Sequence, residues 1–342
     1  MLLTEFMTLH SDSGYVSNYT LSTSVCHQPD LQGLHGIFIE ATSIKTSNTL
    51  FPLFGGSKLG INSEILLPPA MYYSKDSRFT SNARSLAWSQ KTDKLLWRGL
   101  ASGGRNKVEN WKGFHRHRLV SMLNGTQAIS MPDSEFIAIK DLPLDIWQLE
   151  SWKDPRMPRN EAIGKWLTTF CDVAFTGLEC FPRQEDGCSY TDHWFGTRKS
   201  VELASQYEYK YLVDVDGNSF SGRYRDFLLS GSLPIKATLF REWHDSRLVA
   251  WKHFVPLDNR FLDIYGVLEF FLGYDSNGNK HSGRDQMARR IAKQGQDWAK
   301  MVLRREDMSI YTYRLLLEYA RVMDIDRDRL GWVGDLIDDD VQ

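Results

Sequence analysis

Residues 207–229 read YEYKYLVDVDGNSFSGRYRDFLL, and the residue types in this stretch could hold an anion. Gly217, Asn218, Ser219, Ser221 and Gly222 are small or turn-forming, so the backbone can bend sharply there and approach a ligand without Cβ clashes. Arg223 and Arg225 follow at once, ahead of the apolar patch Phe227, Leu228 and Leu229. A strand–loop–helix unit aims unpaired backbone N–H groups at whatever sits over the loop. An arginine in the first helical turn adds a forked, charge-assisted donor. The bland alternative is a solvated arginine after a glycine turn that holds nothing, because such loops are weak evidence taken singly. Asp214-Val215-Asp216 could hold a divalent cation against a diphosphate. A short Asp pair ending a strand more often caps the next turn, so no metal is expected.

A second unit of this kind lies upstream. Residues 94–99 read as a short strand entering the loop 100–105, which contains Ser102, Gly103, Gly104 and Arg105, and residues 111–123 then read as a helix carrying His115, Arg116, His117 and Arg118. His115, His117 and His253 could be proposed as catalytic. A histidine in a basic helix or at a strand end is more often a surface or hydrogen-bonded structural residue, and that is the expectation for all three.

The elements that must position these loops follow from periodicity. Tyr209, Tyr211, Val213 and Val215 alternate with Lys210, Leu212 and Asp214 as in a strand, and Gly231 is a natural stop for the helix that follows the second loop. Residues 232–238 read as another strand, and residues 248–257 include one more, ending at Pro256. Residues 262–271, 284–303 and 309–322 read as helical, residues 161–170 as short helical or loop structure, and residues 154–160 as a proline-bearing surface connection. Alternating strands and helices imply a parallel, Rossmann-like sheet, whose ligand lies at the carboxyl ends of the strands.

Composition narrows the function. A chain of 342 residues with 42% hydrophobic residues can build two domains with real cores. A net charge of −2 argues against a nucleic-acid partner. No run of about 18 apolar residues suggests a membrane span, and the first residues lack the charged and apolar regions of a secretory leader. Of the four cysteines, Cys180 and Cys188 are close enough to bridge a local loop, while Cys26 and Cys171 remain, and the spacing matches no zinc site. Asn18-Tyr19-Thr20 and Asn124-Gly125-Thr126 are glycosylation acceptors that would suit a lumenal protein.

Several ordered words together resemble glycosyltransferase family 90, the protein O-glucosyltransferases and fungal capsule-associated xylosyltransferases. They are Leu96-Trp97-Arg98-Gly99 with Ser102-Gly103-Gly104, the Asp214 to Arg225 segment, the 229–232 step, Glu242-Trp243 and the 251–256 run WKHFVP. Upstream, the 51–58 run FPLFGGSK with the 64–68 run EILLP, and Cys26-x-x-Pro29 with His35-Gly36, look like the same family. The resemblance implies a GT-B architecture of two Rossmann-like domains facing a cleft. Residues 1–90 would be an incomplete acceptor-side domain, 91–325 the nucleotide-sugar domain and 326–342 an acidic tail.

It also implies an inverting transfer of glucose or xylose from a UDP-sugar to a hydroxyl on protein or polysaccharide, in the Golgi or endoplasmic reticulum lumen. No cofactor or metal would be needed, and membrane association would require an upstream anchor. By position the donor would meet Arg98, Ser102, Arg105, Ser219, Gly222, Arg223 and Glu242. The family's catalytic Asp sits in an Asp-x-Pro-like element of which no clean copy precedes Phe51, and Asp30 is the nearest candidate by order along the chain. A UDP-sugar-binding pseudoenzyme that lost its base is the alternative function.

Overall fold

The computed structural model describes residues 9–11, 13–42, 52–74, 76, 78–79, 86–130, 159–183, 188–276 and 279–327. Phe51, residues 154–158 of the proline-bearing connection and residues 328–342 of the acidic tail lie outside them. At the centre is a parallel sheet of β1 (Thr92–Leu100), β2 (Cys171–Gly177), β3 (Tyr209–Val215), β4 (Leu233–Ala237) and β5 (Val255–Pro256) in the spatial order β2-β1-β3-β4-β5. Around it lie α1 (His115–Leu123), α2 (Arg159–Phe170), α3 (Tyr224–Leu229), α4 (Ile264–Leu272), α5 (Asp285–Val302) and α6 (Arg305–Met323).

Strand alternation explains why both faces are covered. Leu95 is in register with Tyr211 and Leu96 with Leu212. Leu95, Trp97, Tyr211, Val213 and Val215 point into one core with Leu119 and Leu123 of α1 and Ile163 and Leu167 of α2. Leu96 and Leu212 point the other way, onto Phe227 of α3. A parallel sheet needs this double cover, because its near-continuous apolar strands have no face to offer water.

The chain order sets the position of the site. From β1 the chain runs outward to β2, crosses back to β3 on the other side of β1, and continues outward through β4 and β5. The switch point lies between β1 and β3, where the following loops diverge and leave a crevice at the carboxyl ends. These are the two glycine-rich loops.

The strand predicted over 94–99 spans Thr92–Leu100, and that predicted over 232–238 spans Leu233–Ala237. The helix predicted over 111–123 divides into a 3-10 turn, Trp111–Gly113, and α1. β2 was not foreseen. Nor was the hairpin of Gly273–Ser276 with Asn279–Ser282. Among the described residues there is one parallel sheet of more than two strands; Phe54–Gly55 and Ile65–Leu66 form a separate two-stranded parallel pair. Residues 9–79 contribute short helices and two-residue strands packed onto it: Lys58–Leu59 pairs with Phe240–Arg241, and Leu31, Ile37 and Leu59 share a cluster with Leu239 and Phe240. The four cysteines are free thiols, so the local bridge that the spacing of Cys180 and Cys188 allowed is not formed.

Candidate functional site

The two loops at the switch point are tied to each other. The N–H groups of Gly103 and Gly104 both donate to Asn218 Oδ1, at 3.1 Å each. These amides were expected to face a ligand; they serve instead to bind one loop to the other. Gly103 and Gly104 have φ of 111° and 135°, a region open to glycine at little cost. A Cβ on Gly104 would also stand 2.7 Å from the carbonyl oxygen of Glu40, so the loop packs tightly under residues 36–40. In the second loop the Gly217 N–H donates to the Ser219 carbonyl at 2.7 Å. Gly222 accommodates protein rather than ligand, since a Cβ there would meet Met71 Sδ and Phe79 at 2.7 Å.

Arg116, on α1, spans the crevice floor. Its Nε donates to the Asp216 carbonyl at 2.7 Å, Nη1 to the Leu100 carbonyl at 3.0 Å and Ser102 Oγ at 2.8 Å, and Nη2 to the Val215 carbonyl at 3.3 Å. Burial lowers its pKa to about 10, and the neighbouring Arg223 lowers it further toward that value. Arg223, the residue before α3, is half-buried by surface area. Its Nη1 donates to the Arg98 carbonyl at 2.7 Å, and desolvation again depresses its pKa. Among the described residues, every hydrogen-bond partner of these two guanidinium groups is a neutral oxygen. Sequence reasoning placed Arg116 in a basic helix without assigning it a role. The available signal was the apolar half of that helix, Leu119, Val120, Met122 and Leu123: all nine residues of α1 are buried.

The other predicted residues divide. Arg98 is buried, and its Nη2 pairs with Asp172 Oδ1 at 2.6 Å, so its side chain is directed into β2. Arg105 is exposed, its guanidinium 5.8 Å from the Phe181 ring centroid, while its backbone N–H donates to the Glu40 carbonyl. The structure therefore groups Arg223 with Arg116 and Ser102, and leaves Arg105 on its own contacts. Asp30 is 65% exposed, 3.2 Å from Arg260.

Asp214 and Asp216 are each engaged. Lys236 Nζ donates to Asp214 Oδ2 at 2.7 Å. The Thr238 hydroxyl donates to Asp216 Oδ1, and the Leu239 N–H to its Oδ2 at 2.7 Å. Burial raises Asp216 to about 7 despite those donors. Beside it His35 and His115 stack at 3.8 Å, and His115 Nε2 donates to the Asp216 carbonyl at 2.7 Å. Burial holds His35 near 3 and His115 well below its ordinary value, so both rings are neutral. His115, His117 and His253 are all buried, where a surface position was one of two expectations.

Glu242 is buried next to Lys236, 3.5 Å away, and His244, 3.4 Å away. Burial opposes the charge on Lys236, but Asp214 and then Glu242 more than offset this and raise its pKa.

Residues 189–329 match the model of the family described as Glycosyl transferase family 90. Over that stretch the chain is similar to glycosyltransferase family 90. Within the matched stretch lie β3 to β5, the second loop, Arg223 and Glu242, whereas Ser102, Arg105 and Arg116 precede it. The chain is similar to Protein O-glucosyltransferase 3 of Rattus norvegicus, 29% identical over 150 residues that make up 44% of this chain and 26% of that protein. It is also similar to Protein O-glucosyltransferase 1 of Rattus norvegicus, 28% identical over 128 residues, 36% of this chain and 30% of that protein. The matches thus span 26% and 30% of these relatives' lengths. Sucrose-phosphate synthase from Thermosynechococcus elongatus superposes with a TM-score of 0.32 at 11% identity, over 75% of this chain and 50% of that one, too loosely to bear on the fold. No described helix is long and apolar enough to cross a membrane.

Proposed function

We propose that this chain is the nucleotide-sugar part of a glycosyltransferase that moves glucose or xylose from a UDP-sugar to a protein or glycan hydroxyl, with inversion. One observation carries the reading: Arg116 and Arg223 are adjacent guanidinium groups at a switch-point crevice, and among the described residues their hydrogen-bond partners are all neutral oxygens. Desolvated charges of one sign are costly unless a counter-charge arrives. A diphosphate supplies it, with geometry suited to forked donors.

The chemistry follows from that placement. As the acceptor oxygen attacks the anomeric carbon, the bond from that carbon to the diphosphate oxygen breaks and its electron pair stays on the diphosphate. Donors already fixed there stabilise the growing charge without reorganising. A carboxylate on the opposite side takes the hydroxyl proton. Arg223, Ser102 and Ser219 are read as the donor-side residues by family position, with Arg116 fixing the loops beneath them. Arg105 and Glu242 keep their family assignment as residues around the donor, whereas Arg98, paired with Asp172, and Gly222, packed against Met71 and Phe79, do not. No divalent cation is needed for this charge balance. The sheet is read as the donor half of a GT-B arrangement acting in a lumenal compartment.

A second reading, a UDP-sugar-binding protein without turnover, is favoured by Asp30, which stands on the surface in an ion pair with Arg260. Calorimetry with UDP, followed by transfer and hydrolysis assays with UDP-glucose and UDP-xylose, separates the two. Binding with turnover supports the enzyme, and binding without it supports the second reading. Absence of any UDP binding rejects both.

A further inference from the structure

The turn after Phe240–Arg241 carries Glu242, His244 and Asp245, and the geometry points to a site for a divalent transition-metal ion of the zinc class. Among the described residues these are the one group of three whose ligand atoms, one from each, lie within 4.8 Å of one another. The side chains of Glu242 and His244 are 0% exposed. Both oxygens of Glu242 and both ring nitrogens of His244 are buried without a hydrogen-bond partner. A carboxylate and an imidazole sealed from water with no donor or acceptor are high-energy neighbours unless something binds both.

The separations suit a cation. Bonds of about 2.0–2.2 Å in tetrahedral geometry set neighbouring ligand atoms roughly 3.4 Å apart. Glu242 Oε1 stands 3.4 Å from His244 Nε2, and Asp245 Oδ1 3.4 Å from His244 Nδ1, too far for good hydrogen bonds. The second oxygen of each carboxylate is already oriented from outside: Asp245 Oδ2 accepts from the Glu242 N–H at 3.0 Å, and Glu242 Oε2 faces Lys236 Nζ at 3.5 Å. Such outer contacts aim a ligand without occupying its free oxygen.

Charge and access agree. Asp214 and Glu242 flank one ammonium, Lys236, and Asp245 adds a third carboxylate beside His244. A dication compensates the excess when His244 binds as neutral imidazole. One nitrogen with two carboxylates favours zinc-class ions over calcium or magnesium, which take oxygen alone. Asp245 is 26% exposed and lines a cavity of ≈ 500 Å³ with Asn18, Tyr19, Arg241, Leu248 and Trp251, giving an entry path. Glu242 faces Nε2 of His244 and Asp245 faces Nδ1, so one ion would take a single ring nitrogen with the carboxylate beside it, the other carboxylate would turn to reach it, and water would complete the shell.

The test uses the full chain stripped with a chelator and given no nucleotide, so its outcome is independent of UDP binding. Co²⁺ should produce visible d–d absorption saturating at one ion per chain, and Zn²⁺ should displace it and raise the thermal midpoint. His244→Ala and Asp245→Asn should each weaken Co²⁺ binding roughly tenfold or more. Asp245 is partly exposed, so its variant keeps the interior intact if Glu242→Gln fails to fold. Absence of stoichiometric Co²⁺ binding, equal binding by His244→Ala and Asp245→Asn, or a His244 ring that NMR shows doubly protonated under saturating Zn²⁺ would each overturn the site.

Discussion

Two sets of buried charge lie on either side of β4's carboxyl end, and they are built oppositely. At the crevice, Arg116 and Arg223 sit side by side and donate to carbonyl and hydroxyl oxygens. Behind them, Asp214, Lys236, Glu242 and His244 form a chain in which a carboxylate faces each cation. Burial alone therefore does not mark a functional group. The useful distinction is whether a carboxylate is in direct contact with the cation, as Asp214 is with Lys236, or acts on it only from farther off, as Asp214 does on Arg223.

The largest test of this contrast is Lys236→Met. It leaves Asp214 and Glu242 buried without their ammonium and should cost about 3–5 kcal/mol in urea unfolding. UDP affinity of the folded fraction should change little; a large loss of affinity at intact stability would merge the two regions into one site. Arg223→Ala should do the reverse, weakening UDP binding by roughly ten- to a hundredfold through loss of a charge-assisted contact, with a smaller effect on the unfolding midpoint. Were Arg223 purely structural, calorimetry would find the affinity unchanged.

Acidity separates the regions next. Asp216 is raised to about 7 from its ordinary 3.8. The unfolded chain releases that proton first, so stability should fall as pH climbs from about 4 to about 7 and then level off. For His244, burial alone would lower the pKa, but Glu242 leads the contacts that raise it from 6.5 to about 9. Its contribution is complete below pH 6.5 and is lost as pH rises through about 9. In protein free of divalent cations, Asp216→Asn should flatten the first decline and His244→Gln the second, read from unfolding midpoints across the range. The smallest effect is expected from Arg105→Ala. An exposed charge contributes little, so UDP affinity should drop by at most about fivefold; a loss equal to that of Arg223→Ala would restore Arg105 to the centre of the site.

Much of this arrangement was legible in the letters. β1 and β3 alternate in type and run straight into glycine loops, which fixed both strands and the side of the sheet on which a ligand would lie. β2 escaped because α2 passes into Cys171 with no glycine or proline between them, and its residues carry weak alternation. Arg105 attracted weight as the arginine closing a glycine loop. Arg116 did not, because His115-Arg116-His117-Arg118 reads as a solvated basic face. Its burial depends on the sheet, the loops and residues 34–40 converging on one helix, and such convergence has no local signature. Glu242 was named only through the family resemblance, and the groups that enclose it, Lys236 and through it Asp214, come from two different strands.

Asn218 has a mechanical consequence. One amide oxygen is shared by consecutive N–H groups of the opposite loop, so neither wall of the crevice can swing aside while this clasp holds. Opening would be a concerted event, and slow hydrogen exchange at Gly103 and Gly104 would report on the wall that bears Asn218 as faithfully as on their own.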